Sequence, residues 1–102
     1  MIRLKVKHLK SFEEKTLGLM GKQKISSVFF ETRFGIHTFF LKFPIDILIL
    51  DDDFRVIKLK ENLPINSLFF WSPVYKNVVE MKMKEISKMK IKVGDKLFLE
   101  YD

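Results

Sequence analysis

Apolar and charged residues alternate from the start of the chain: Ile2, Leu4 and Val6 against Arg3, Lys5 and Lys7. That period of two predicts a strand with one buried and one wet face. Over residues 12–20 the period lengthens, and Phe12, Thr16, Leu19 and Met20 share one face at helical spacing. Ser11 with Glu14 forms a capping box, Glu13 and Glu14 sit where the helix dipole favours acids, and Gly21 suits a C′ stop. A helix is therefore predicted over 12–20, followed by a short strand at 28–31, a glycine-bearing connection at 32–35 and an extended stretch at 37–41. Pro44 cannot donate to a ladder and marks an edge, a bulge or a break. Beyond it, Ile47, Leu48, Ile49 and Leu50 form an unbroken apolar run, which predicts a central strand at 46–51 buried on both faces. Asp51, Asp52 and Asp53 signal a turn, and residues 54–60 return as the second strand of a hairpin. The apolar phase of that strand slips from Phe54 and Val56 to Ile57 and Leu59, as a β-bulge near Val56 would produce.

Pro64, Asn66, Ser67, Ser72 and Pro73 surround the aromatic run Phe69, Phe70 and Trp71. This predicts a loop with a short strand inside it. Residues 77–81 are extended, and 84–90 form a short helical turn with Ile86 and Met89 three apart. Val93, Gly94 and Asp95 turn into a last strand, where Leu97, Leu99 and Tyr101 alternate with Lys96, Phe98 and Glu100. There is no repeat, linker or low-complexity tract. The pattern predicts a single domain over residues 1–102. Its class is α+β: a small, mainly antiparallel, barrel-like or rolled sheet with one or two short helices.

Composition sharpens this picture. Hydrophobic residues make up 47% of the 102, enough for a core, and the lack of alanine beside 11 phenylalanines favours strands over long helices. No cysteine is present, so disulfides and thiolate metal sites are excluded, in keeping with a cytoplasmic setting. No apolar run approaches the ~18 residues of a membrane span, so no membrane partner is expected. The N-terminal alternation is not the apolar core of a signal peptide. The net charge of +6 comes mainly from lysine rather than arginine. We read it as a solvated, thermophile-like surface before a phosphate-binding one.

The acid inside the apolar run, Asp46, has two readings: a general base or ligand, or a carboxylate capping backbone N–H groups beside Pro44. His37 could act as a base with the Thr38 hydroxyl beside it, or be structural. His8 and His37, the two histidines, make no metal spacing, so neither a metal nor a cofactor is expected. Glu80 alternates against Val79 and Met81 and is expected on a solvated strand face. The functional alternative is that Glu80, Asp46 and His37 converge in one cleft. Lys15 and Arg33 could hold an anion, but pairing with Glu14, Glu31 or Asp46 is simpler. Phe69, Phe70 and Trp71 are either a partner or ligand surface, or a plug at one end of the barrel. Lys82, Lys84, Lys88, Lys90 and Lys92 form a positive run offset by Glu85. With Trp71 nearby, that run could meet nucleic acid or an acidic partner, although a solvated face is the simpler reading. No phosphate loop, calcium loop or nucleophile elbow is present.

Four segments carry a family resemblance. HTFFLKFPID at 37–46 is similar to an HTFFMRFPID segment, and EKTLGLM at 14–20 to an E-R-x-x-G-L-M motif. VVEM at 78–81 is similar to V-L-E-L, and IKVGD at 91–95 to a closing G-I-x-x-G-D. Taken in chain order, at 14–20, 37–46, 78–81 and 91–95, they resemble the DUF192 family of small bacterial and archaeal proteins. Lys15 stands where that family usually has arginine, and Leu41 where it usually has methionine. The resemblance implies a small β-rich, barrel-like domain of unknown function with no assigned reaction. The leading expectation is thus an uncharacterised, non-enzymatic binding or accessory module for an unknown small molecule or protein. The alternatives are a small, hydrolytic enzyme using Asp46 with His37 or Glu80, and a nucleic-acid binder using the face at 82–92.

Overall fold

The computed structural model describes residues 2–8, 27–33, 35–39, 41 and 43–101. The helix expected over 12–20 and the candidate Lys15 lie outside the described residues. The elements are β1 (Ile2–His8), β2 (Ser27–Glu31), β3 (Gly35–His37), β4 (Ile45–Leu50), β5 (Val56–Leu63), β6 (Leu68–Phe70), β7 (Asn77–Lys82), α1 (Glu85–Met89) and β8 (Leu97–Tyr101). Six strands form one sheet in the order β5-β4-β7-β2-β1-β8, and β3 with β6 forms a separate two-stranded ribbon. Most pairings are antiparallel, but β1 runs parallel to both β2 and β8.

The domain is α+β and dominated by sheet, with one short helix among the described residues. The barrel is not closed. Strands β5 and β8, at the two margins of the sheet, meet only at the bridge between Arg55 and Lys96. Backbone bonds from Val56 N–H to Asp95 O and from Leu97 N–H to Phe54 O support it. Beyond that point no ladder joins the two margins among the described residues.

Every residue of β4 is buried, as its position between β5 and β7 requires. Its alternate residues feed two cores. Leu48 and Leu50 pack with Leu4, Val6, Phe29, Val79, Met81 and Leu97, an inner cluster drawn from all six strands. Ile45, Ile47 and Ile49 pack on the other face with Val28, Phe30 and Val78, and with Ile36 and Trp71 from the ribbon and its exit. The ribbon thus covers the outer face of the sheet, while α1 contributes Ile86 to the inner cluster.

The bulge expected near Val56 is present. Ile49 faces Lys58 and Leu50 faces Val56, which leaves Ile57 as the extra residue. A second irregularity falls between Ile45–Leu63 and Ile47–Lys60, where Asp46 opposes both Glu61 and Asn62. Asn62 takes φ 54° there, a left-handed conformation that asparagine tolerates. The stretch expected to be extended over 37–41 stops early, because the Thr38 carbonyl accepts from both Leu41 and Asn66 and turns the chain. No helix among the described residues is long and apolar enough to cross a membrane.

Candidate functional site

Asp46 is fully buried on the inner face of β4. Its Oδ1 accepts the Asn62 N–H at 2.9 Å, and its Oδ2 accepts the Ile86 N–H at 3.0 Å. The first bond staples the bulge of β5. The second caps the opening turn of α1, whose own N-cap residue, Lys84, supplies no side-chain bond. Both carboxylate oxygens therefore face backbone donors, an arrangement that offsets the cost of burying the charge.

Glu80 overturns its expected placement: it is fully buried, not on a solvated face. The reason is topological. Strand β7 lies between β4 and β2, so both its faces are covered. The register sets Glu80 beside Ile47 and Val28 on the outer-cluster side, and sets Asp46 beside Met81 on the inner-cluster side. Side chains of directly paired residues share a face, so the two acids lie on opposite faces of the sheet. His37 lies on neither face, since it ends β3 in the ribbon. Its ring stacks on Phe39 at 4.9 Å, and its Nδ1 accepts the Phe39 N–H at 3.3 Å. The structure does not bring the three together in one cleft.

Thr38 is buried and works as a lock. Its hydroxyl donates to Pro64 O at 2.6 Å and accepts from Ser67 N–H at 2.7 Å, tying the end of β3 to the turn before β6. Arg33 donates from Nη1 to Pro73 O at 2.6 Å and so anchors the loop after β6 rather than pairing with Asp46. Among the described residues, no group of three His, Cys, Asp or Glu side chains is placed to hold a metal ion.

The aromatic run divides along its strand. Phe69 points inward against Trp71, which is buried and donates its indole N–H to Tyr75 O at 2.8 Å. Leu68 and Phe70 point outward and are 56% and 60% exposed. Their register partners are His37 and Gly35, so the outer face of the ribbon carries Leu68, Phe70, His37 and the Phe39 ring stacked on it. Gly35 explains how Phe70 is held. A Cβ at Gly35 would lie 2.5 Å from the Phe70 ring and 2.7 Å from the Phe69 carbonyl. The Phe70 ring edge fills the space a side chain would need, a known way of covering a strand glycine with an aromatic ring. Lys58 completes the group: its Nζ reaches Phe70 O at 2.9 Å and sits 4.9 Å from the Phe69 ring centre. Sequence reasoning missed Leu68, Gly35 and Lys58. The available signal was the i, i+2 spacing of Leu68 and Phe70 around an inward Phe69.

Lys82, Lys84, Lys88, Lys90 and Lys92 are all exposed. Trp71 is not beside them, because it packs in the outer cluster whereas α1 packs in the inner one.

Two solved structures share the fold. A candidate transcription regulator from Sinorhizobium meliloti superposes with a TM-score of 0.75 at 18% identity, covering 89% of this chain and 78% of its own. A protein of unknown function from Novosphingobium aromaticivorans superposes with a TM-score of 0.72 at 19% identity, covering 87% and 70%. No curated protein matches. Residues 2–99 match the sequence model of DUF192, described as Uncharacterized ACR, and the chain belongs to that family.

Proposed function

We propose that this domain is a non-enzymatic binding module whose contact surface is the outer face of the β3–β6 ribbon. The observation that carries this reading is the pair Leu68 and Phe70, both more than half exposed on β6, with the Phe70 ring seated over Gly35. Contiguous exposed apolar side chains mark interaction sites, and aromatic anchors suit recognition. The arrangement of the acids supports the same reading. Asp46 is committed to backbone donors, and Glu80 lies across the sheet from it, so these two carboxyl groups do not form an acid–base pair with each other. A cytoplasmic setting fits a chain without cysteine.

The second reading, nucleic-acid binding through residues 82–92, draws on the exposure of all five lysines and on the description of the S. meliloti neighbour. Among the described residues, Trp71 does not stack beside these lysines.

One nitrogen-15 NMR titration separates these readings. The labelled protein is exposed in turn to an apolar fragment library and to a short duplex DNA. The expected outcome is fragment-induced shifts centred on Leu68, Phe70 and Phe39, with residues 82–92 unmoved by DNA at physiological salt. DNA-induced shifts over 82–92 that fade steeply with salt would replace the ribbon by the lysine face. Hydrolysis of generic ester or phosphate substrates, lost in a folded Asp46→Asn protein, would restore the enzyme reading.

A further inference from the structure

The ribbon has an open backbone edge as well as an apolar face. Thr38 N–H bonds to Ser67 O at 2.9 Å, which makes that pair a hydrogen-bonded one. Such pairs alternate along an antiparallel ladder, so Ile36 with Phe69 is the next. The N–H and C=O groups of Leu68 and Phe70 therefore turn away from β3, toward an edge that no strand occupies among the described residues. The Phe70 carbonyl on that edge accepts from Lys58 Nζ, so an ammonium group stands where the N–H of a neighbouring strand would be.

That edge looks over β5, which is itself the margin of the main sheet. Lys58 pairs with Ile49 and Lys60 with Ile47, so both side chains project on the face that carries the ribbon. Both are exposed, and neither has a carboxylate partner among the described residues. A strand laid beside β6 would have Lys58 and Lys60 beneath it and Leu68 and Phe70 level with its upper face.

We propose that β6 is a docking edge for an extended acidic segment of a partner protein. The segment adds as a strand beside Leu68 and Phe70, with acidic side chains turned down to Lys58 and Lys60 and apolar side chains turned up. This rests on the reading of the ribbon as the contact surface. Main-chain bonds to the edge supply affinity, and the alternating side chains supply selection. The net charge of +6 favours an acidic partner over a second copy of this chain.

The test uses the full chain and two synthetic hexapeptides, one alternating valine with aspartate and one alternating valine with lysine. Binding is read by NMR titration and by amide exchange at Leu68 and Phe70. The acidic peptide is expected to bind roughly tenfold tighter than the basic one and to slow exchange at both amides. In Lys58→Glu/Lys60→Glu, checked for folding by its spectrum, the preference should reverse. The proposal is overturned by equal affinities, by unprotected amides at Leu68 and Phe70, or by a preference that survives the charge reversal. Concentration-dependent dimerisation that protects the same amides without peptide also overturns it, in favour of a second copy. If fragments still shift Leu68 and Phe70 while neither peptide binds, the docking edge fails and the contact surface stands. If neither fragments nor peptides shift them, both fall.

Discussion

At the scale of single residues, three of the buried polar groups, Thr38, Asp46 and Asn77, are tied to backbone. Asp46 has one oxygen on Asn62 and the other on Ile86. Replacing it with asparagine keeps the shape but removes the charge and one acceptor. Asp46→Asn is expected to cost about 1–3 kcal/mol, read as a lower urea midpoint with an unchanged slope. An unaltered midpoint would show that these two bonds carry no net stability. Gly35 is constrained in a different way. A Cβ there would lie 2.7 Å from the Phe69 carbonyl, which is backbone and cannot swing aside. Gly35→Ala should destabilise by about 1–3 kcal/mol, and adding Phe70→Ala should recover only part of the loss. Full recovery would assign the whole constraint to the ring.

At the scale of elements, α1 is a five-residue helix held at both ends by its surroundings. Its N-terminus borrows Asp46 from β4. Its C-terminus closes with Lys90 N–H on Ser87 O and Ile91 N–H on Ile86 O, the pattern of a Schellman motif. Ile86 and Ile91, both in the inner cluster, supply the apolar contact that accompanies it. The residue in the left-handed position is Lys90, with φ 57°, where glycine carries no Cβ penalty. Lys90→Gly should therefore raise stability by about 1 kcal/mol, seen as a higher melting temperature; a decrease would mean that the Lys90 side chain contributes more than its backbone costs.

Element by element, what was legible in the sequence was what local pattern can encode. The run at 47–50 announced a strand buried on both faces, and the phase slip near Val56 announced its bulge. The burial of Glu80 was illegible, because its alternation with Val79 and Met81 is the same on a covered strand as on an open one. Only the placement of β7 between β4 and β2 decides it. The role of Asp46 was half legible. A carboxylate in an apolar run asks for donors, but its donors lie 16 and 40 residues away. The aromatic run showed that something stood at 69–71 without showing which ring faced out.

At the scale of the whole molecule, the two cores are not equivalent. The inner one gathers side chains from all six strands of the sheet, while the outer one depends on the short ribbon as its cover. The margins of the sheet touch at Arg55 and Lys96 and part beyond them. This leaves a sheet that is curled without the closure that removes edges altogether.

The parallel placement of β1 between β2 and β8 carries a consequence in time. Ile2 finds its register partner in Leu97, so β1 cannot complete its pairing until Leu97 has been synthesised. A contact that spans almost the full sequence closes a long loop before any ladder bond repays the entropy, which places the domain among slower-folding topologies. Until β8 arrives, the apolar face of β1, Leu4 and Val6, must wait without its final cover. A ribosome-bound chain stalled short of Leu97 would be the form of this protein most in need of a chaperone.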